Sequence, residues 1–349
     1  MLSESANCLF PQPMFELTKK VKELEKQGKD FIHFEIGDPD FNTDYSIITA
    51  AICSLKNNNT HYTPPKGIPE LINAICRKHN VKPDNVLITP GANISFFYVL
   101  SCLCNKDSGI LLPNPGFPTY KLVCQYLKLD NVFYYSSLRN HVNSTSNLTV
   151  INSPNNPTGN TLESIEYNQN NYLYNDNIYF SYNKKPYDKQ YNDHHIDVYS
   201  FSKMYAMTGF RLGYIISNPE LINKMEILLN ITNSCVPEFI QRAGIAALQT
   251  DNSKMIEEYR RRRDCLVDGL NKINGIYCDL PDGTFYVFPD ITKTGLTDKE
   301  FSDLMLKNGV ALLPGTDFGR KGEGHVRISY ASTNIEKIKK GLKRIKNVL

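Results

Sequence analysis

The sequence predicts an α/β fold, with a smaller α+β part built from both chain ends, and three observations predict it. Short apolar runs bounded by turn residues recur through the middle of the chain, as the buried strands of a helix-covered sheet do. Residues 85–104 run strand, loop, helix in direct succession. Near each end, apolar residues fall at helical spacing among lysines and glutamates.

In chain order, Leu17, Val21 and Leu24 make one face of an amphipathic helix that stops near Gly28. Residues 31–36 then read as a short strand broken by Gly37-Asp38-Pro39-Asp40. Helices are predicted over 47–55 and 69–79, separated by an extended loop at 62–67 with two prolines. Strand 86–89, the turn Pro90-Gly91-Ala92-Asn93 and an apolar helix over 94–104 follow. Further buried strands are predicted at 109–112, 148–151, 172–175, 197–200 and 212–217. A long helix over 253–273 carries Arg260 to Arg263, read as a solvated charged face. Strands at 284–288 and 325–329 and a helix over 334–348 complete the chain. The asparagine-rich stretches 140–147 and 167–177 read as surface loops. The expected division is a large domain over 43–252 and a small one from 1–42 with 253–349, joined by the helix 253–273.

Composition narrows the function. A chain of 349 residues with 41% hydrophobic residues can bury a substantial core. The formal charge of +3, from 39 basic and 36 acidic residues, gives no field suited to nucleic acid or an anionic membrane, so a small molecule is the expected partner. No run is long and apolar enough to span a bilayer, and the first thirteen residues lack the basic start of a secretory signal. Nine scattered cysteines, an odd number, argue against a disulfide framework and for the cytoplasm. Cys102 and Cys104 read as buried free thiols, and the Asn-x-Ser/Thr triplets at Asn143, Asn147 and Asn230 carry no weight there. His194 and His195 lack a partner at ligand spacing and read as loop residues, so no metal site is expected.

Three segments carry chemistry. In Ser200-Phe201-Ser202-Lys203 a lysine follows a buried strand, where desolvation favours the neutral amine that attacks an aldehyde. Arg211, eight residues further on in Gly209-Phe210-Arg211-Leu212-Gly213-Tyr214, is a fixed cation suited to a phosphate dianion, and Ser200 adds a hydroxyl donor. Lys203 alone would read as a solvated surface charge; the whole pattern reverses that. The second segment is Asn152-Ser153-Pro154-Asn155-Asn156-Pro157-Thr158-Gly159, and the third is Asp176-Asn177-Ile178-Tyr179 after an apolar strand. Motifs for a dinucleotide fold, a Walker loop, a zinc protease and a serine-hydrolase elbow do not occur.

Together these segments resemble the class I/II aminotransferases, fold-type I enzymes that use pyridoxal 5'-phosphate. The resemblance runs in order from Gly37 to Arg327 and implies a mostly parallel, seven-stranded sheet flanked by helices. It implies that Lys203 forms the Schiff base and later moves the substrate's α-proton. Asp176 would sit beside the pyridine nitrogen, with Asn156 and Tyr179 on the phenolic oxygen. Gly91, Ala92, Asn93, Ser200, Ser202 and Arg211 would surround the phosphate, where a helix N-terminus favours anions. Phe117, in Pro115-Gly116-Phe117-Pro118, would stack on the ring. Tyr62 would reach the phosphate of a neighbouring subunit, making a homodimer with shared sites. Arg327, in His325-Val326-Arg327-Ile328-Ser329, would grip the α-carboxylate, with Gly37 and Asn156 closing over the substrate.

Two departures stand out: Asn177 replaces a glutamate usual in the family, and the interval from Asn156 to Asp176 is short, as if part of a surface helix were missing. The expected activity is amino-group transfer between an amino acid and a 2-oxo acid in amino-acid metabolism. A pyridoxal-phosphate lyase or an amino-acid decarboxylase is the nearest alternative, because the fold and cofactor do not fix which bond breaks. A non-catalytic binding protein is disfavoured by retention of Lys203, Asp176, Tyr179, Asn156 and Arg211.

Overall fold

Strand residues 86–89, 109–113 and 148–152 are buried throughout, which demands helices on both sheet faces. A computed structural model describes residues 2–136, 146–162, 170–182 and 192–349; the readings made for 140–145, 167–169 and Asn143, and the shortened surface helix as far as it falls within 163–169, lie outside them. The strands are β1 (Ile32–His33), β2 (Val86–Thr89), β3 (Gly109–Pro113), β4 (Asn131–Tyr135), β5 (Leu148–Asn152) and β6 (Tyr172–Asn177). They continue as β7 (His195–Ser200), β8 (Gly213–Ile216), β9 (Tyr286–Val287), β10 (Val310–Ala311), β11 (Leu313–Pro314) and β12 (Val326–Ser329).

The central sheet has seven strands in the order β2-β8-β7-β6-β5-β3-β4. Only β8 runs antiparallel to its neighbours. The reason is local: β7 and β8 are joined by residues 201–212, a short helix Phe201–Met204 and a single 3-10 turn Thr208–Phe210, so the chain doubles back without a long crossover. Lys203 and Arg211 both lie on this return. Side chains alternate across the sheet with the period of a strand. Leu87 packs with Val150, Tyr174, Val198 and Ile215 on one face. Val86 and Ile88 pack with Ile47, Leu71, Ile75 and Ala243 on the other.

The chain ends meet beside this sheet. β1 pairs in parallel with β10, and β12 lies between β11 and β9 in an antiparallel trio. Ile32 and Phe34 share a core with Val310, Val326, Ile328, Ile338 and Ile345, which brings the first strand under the last helix, Ile335–Val348.

Several readings need correction. The arginine run is a solvated face only in its first half, where Arg261 is exposed; Arg262 and Arg263 are only 6% and 4% exposed. Arg262 is held by Asp40 at 2.8 Å and Glu258 at 3.1 Å, and Arg263 donates to Pro281 O at 3.1 Å. Each buried guanidinium is thus paired, as burial of charge requires. His195 is no loop residue; it opens β7 and is buried. Residues 172–177 are the interior strand β6, and Asn175 is buried with its amide on Asp197 Oδ1 at 2.6 Å. Asn177 also donates to Asp197, at 3.2 Å. Cys102 and Cys104 are half-buried; all nine cysteines are free. The expected strand 31–36 shrinks to β1 because Phe34 turns its N–H to Ala311 and its carbonyl to Ser329. Elements the periodicity did not reveal include edge strand β4, half-exposed on both sides, and helices Pro118–Tyr126, Pro219–Asn233, Glu238–Ala247 and Asp298–Lys307.

Candidate active site

A cavity of ≈ 270 Å³ opens where β5, β6 and β7 end, and its wall includes Ala92, Asn93, Phe117, Asn156, Asp176, Tyr179, Ser200, Ser202, Lys203 and Arg211. The end of a parallel sheet is where α/β folds gather ligand-binding groups. Ten predicted site residues from six separate stretches of sequence therefore meet at one place.

One end of the cavity suits a phosphate. Helix Asn93–Leu103 begins there, directing unpaired backbone N–H groups into the space. Gly91 precedes it with φ of +86°, and a Cβ at that position would meet Arg211 Nη2 at 2.3 Å. Only glycine lets the turn and the guanidinium come this close. Arg211, itself in the left-handed region at φ +53°, donates to Thr208 O at 3.0 Å and Ser202 Oγ at 3.5 Å. Ser200 caps the short helix by accepting from Ser202 N at 3.1 Å, so its O–H stays available to donate.

The opposite end carries a buried acid. Asp176, the fifth residue of β6, is 4% exposed; Tyr120 Oη donates to its Oδ2, and Oδ1 has no partner among the described residues. Burial pushes this carboxyl up to about 7, against the pull of the Tyr120 hydrogen bond. Phe117 stands edge-on to Tyr120 with ring centroids 5.8 Å apart. Asn152 braces the floor, accepting from Asn156 N at 2.7 Å and donating to Asp176 O at 3.2 Å. Asn156 Nδ2 in turn donates to Tyr179 Oη at 3.2 Å.

Lys203 lines the same cavity. Its Nζ donates to Gly37 O at 2.5 Å. Burial pushes the ammonium down to about 8, with Asp38 opposing and Arg211 and Arg327 adding to the shift. Near neutrality a usable fraction of Lys203 is the free amine.

Arg327 borders an adjoining narrow pocket that shares Gln12, Met14 and Phe117 with the main cavity. At 2% exposure it donates to Glu35 O at 2.7 Å and Asn156 Oδ1 at 3.2 Å, and Tyr286 and Phe318 flank it at 4.3 and 4.8 Å. Its Nε has no partner among the described residues, and Nη2 also faces the weak acceptor Met14 Sδ at 3.7 Å. Gly37 is forced by packing: a Cβ there would lie 1.8 Å from Tyr286 Oη. Tyr62 is not drawn in; it is 88% exposed.

Sequence reasoning did not nominate Tyr120, Tyr286, Thr208 or the Gln12–Met14 cover. Tyr120 had a signal, since it lies one helical turn after Phe117. The other contacts join residues distant in sequence.

The pattern that defines aminotransferase class I and II matches residues 29–345. The chain belongs to that family. It is 36% identical to a (5-formylfuran-3-yl)methyl phosphate transaminase of Methanocaldococcus jannaschii, covering 96% of each chain. It is also 36% identical to an aspartate aminotransferase of Pyrococcus horikoshii, covering 95% of this chain and 94% of the relative. Among solved structures, the aspartate aminotransferase from Thermus thermophilus with maleate superposes with a TM-score of 0.91 at 29% identity over the full length of both chains. This aminotransferase is thus a fold-type I, pyridoxal-phosphate-dependent enzyme. The cavity fits that cofactor: an unpartnered buried carboxylate oxygen stands at one end, and a glycine turn against an arginine stands at the other.

Proposed function

We propose that Lys203 is the residue that bonds the cofactor covalently and the base that moves the substrate's α-proton. The supporting observation is its placement: a buried amine, depressed to about 8, in the cavity that Arg211 and Asp176 also line. When bound, pyridoxal phosphate supplies an electron-accepting ring that spreads negative charge from the substrate's α-carbon. Asp176 offers its free Oδ1 to the ring nitrogen and so keeps that nitrogen protonated. Gly91, Ala92 and Asn93 present backbone N–H groups to the phosphate, joined by the Ser200 and Ser202 hydroxyls and the Arg211 guanidinium. Phe117 covers one ring face, and Asn156 with Tyr179 holds the phenolic oxygen. Arg327 takes the α-carboxylate with its unpaired Nε and with the Nη2 donor that otherwise faces Met14, beside Gly37 and Asn156. Lys203 Nζ would be the base that takes the proton from the substrate's Cα and holds it for return, while the bound cofactor would accept the charge left behind.

The same proposal takes the donor to be an amino acid and the acceptor a 2-oxo acid. It adds a homodimer in which exposed Tyr62 reaches the partner's phosphate, a cytoplasmic setting consistent with nine free cysteines, and a large domain over 43–252. Borohydride reduction of the cofactor-loaded enzyme followed by peptide mass spectrometry tests the first claim. The pyridoxyl mass falls on the peptide containing Lys203; a modified lysine elsewhere rules the assignment out.

A further inference from the structure

The Glu35 side chain has no part in the chemistry described so far, yet the Glu35 carbonyl is the closest hydrogen-bond partner of Arg327, accepting from Nη2 at 2.7 Å. Asn156 Oδ1 is further, at 3.2 Å, and the Tyr286 and Phe318 rings lie against the guanidinium without fixing where its donors point. Phe34, just before, is held on both sides. Its N–H goes to Ala311 O at 2.8 Å, its carbonyl accepts from Ser329 N at 2.7 Å, and its ring packs in the core with Ile328 and Ile338. Extended chain alternates, so His33 and Glu35 point to the other face, with Phe31. Helix Pro13–Lys26 covers that face through Leu17, Val21 and Leu24, and its first turn brings Met14 and Phe15 to the cavity wall.

Under this helix Glu35 is 0% exposed. Its Oε1 accepts from His33 Nδ1 at 2.8 Å, and its Oε2 has no partner among the described residues. His33 Nε2 reaches Glu25 Oε1 on the helix at 2.9 Å, a part-exposed pair worth little by itself. The Glu35 hydrogen bond raises His33 to about 9 against the pull of burial, so near neutrality the ring is protonated and both its nitrogens donate. A buried pair of this kind gains little over apolar side chains of the same volume; what it adds is direction.

We propose that Glu35 is a positioning residue for the α-carboxylate clamp: anchored on His33 beneath the helix Pro13–Lys26, its side chain sets the direction of its own carbonyl, and that carbonyl holds Arg327 where the guanidinium meets substrate. The inference rests on the reading of Arg327 as that clamp. Every amino-acid donor presents the same α-carboxylate. A displaced clamp therefore weakens all donors by one factor and leaves the chemical step, carried by Lys203, near its native rate.

The test mixes the cofactor-loaded enzyme rapidly with each of aspartate, phenylalanine and alanine that converts its visible band, and reads the half-saturating concentration and the limiting rate of that conversion. Glu35→Met keeps the length and volume of the side chain, so the space under the helix stays filled, and removes the acceptor for His33. Glu35→Gln keeps an acceptor in the same place. In Glu35→Met the half-saturating concentration rises roughly tenfold, by the same factor for each donor, and the limiting rate changes by less than about twofold. Glu35→Gln stays within about threefold of native in both quantities. A residue that only supports the fold would lower Tm and the amplitude of the band without moving the half-saturating concentration of the folded molecules. Native half-saturation in Glu35→Met, or a rise that differs from donor to donor, overturns the proposal. Arg327→Lys separates it from the clamp reading. If that variant raises the half-saturating concentrations while Glu35→Met leaves them native, the clamp stands and the positioning role falls; if Arg327→Lys leaves them native, the clamp itself is wrong.

Discussion

Gly91→Ala isolates the phosphate turn from the rest of the enzyme. At φ +86° an L-residue is strained by about 1–2 kcal/mol. The added Cβ would overlap Arg211 Nη2, 2.3 Å away, and the mobile guanidinium has to move rather than the backbone. Folding therefore loses little, on the order of 1–2 kcal/mol, or at most a few degrees in Tm. Cofactor binding loses more, because a displaced Arg211 forfeits a charge-assisted contact of about 1.5–3 kcal/mol. Affinity for pyridoxal phosphate falls on the order of tenfold to a hundredfold, at 1.4 kcal/mol per decade. Fluorescence titration of the cofactor-free protein, with calorimetric melting of the same sample, reads both quantities. A variant that binds pyridoxal phosphate as tightly as the native protein would refute the placement of the phosphate between Gly91 and Arg211.

Three further outcomes follow from the geometry. Tyr120→Phe removes the donor to Asp176 Oδ2 and lowers kcat by roughly tenfold, the worth of a hydrogen bond to a charged group, with the fold intact by circular dichroism. His33 lies between Glu25 at 2.9 Å and Glu35 at 2.8 Å, and the Glu35 hydrogen bond above all raises it from 6.5 to about 9. Its contribution to stability is complete below pH 6.5 and is lost as pH rises through about 9, so melting curves from pH 6 to 10 show a decline that His33→Gln flattens. Arg262→Ala strands Asp40 and a backbone carbonyl, costing about 2–3 kcal/mol because Asp40 and Glu258 are partly solvated. Its Tm falls by several degrees while the folded fraction keeps native turnover.

What the sequence made legible was the chemistry carried by contiguous residues. The strand-turn-helix at Val86–Leu103 and the return from β7 to β8 each place their candidate residues within a dozen positions, so local pattern was enough to nominate Gly91, Lys203 and Arg211. Groups completed by distant partners were not legible. Arg262 reads as one charge among four until Asp40, 222 positions away, is seen beside it. Tyr286 looks like an ordinary strand residue, yet it excludes any side chain at position 37 and flanks Arg327. β4 escaped because an edge strand with exposed Phe133 and Tyr134 lacks the buried run that marks its neighbours. The asparagines of β6 mislead for the opposite reason: their amide N–H groups find acceptors inside the sheet layer, which composition alone does not show.

The most direct measurement of the central claim is the absorption spectrum of the cofactor-loaded enzyme and of Lys203→Ala, before and after one amino acid is added without any oxo acid. With Lys203 as the base, the native enzyme's visible band gives way to that of pyridoxamine phosphate, with a 2-oxo acid released, and Lys203→Ala makes no such conversion at a comparable rate. Conversion in the variant at the native rate, or release of ammonia or carbon dioxide by the native enzyme with its visible band unchanged, would contradict that claim.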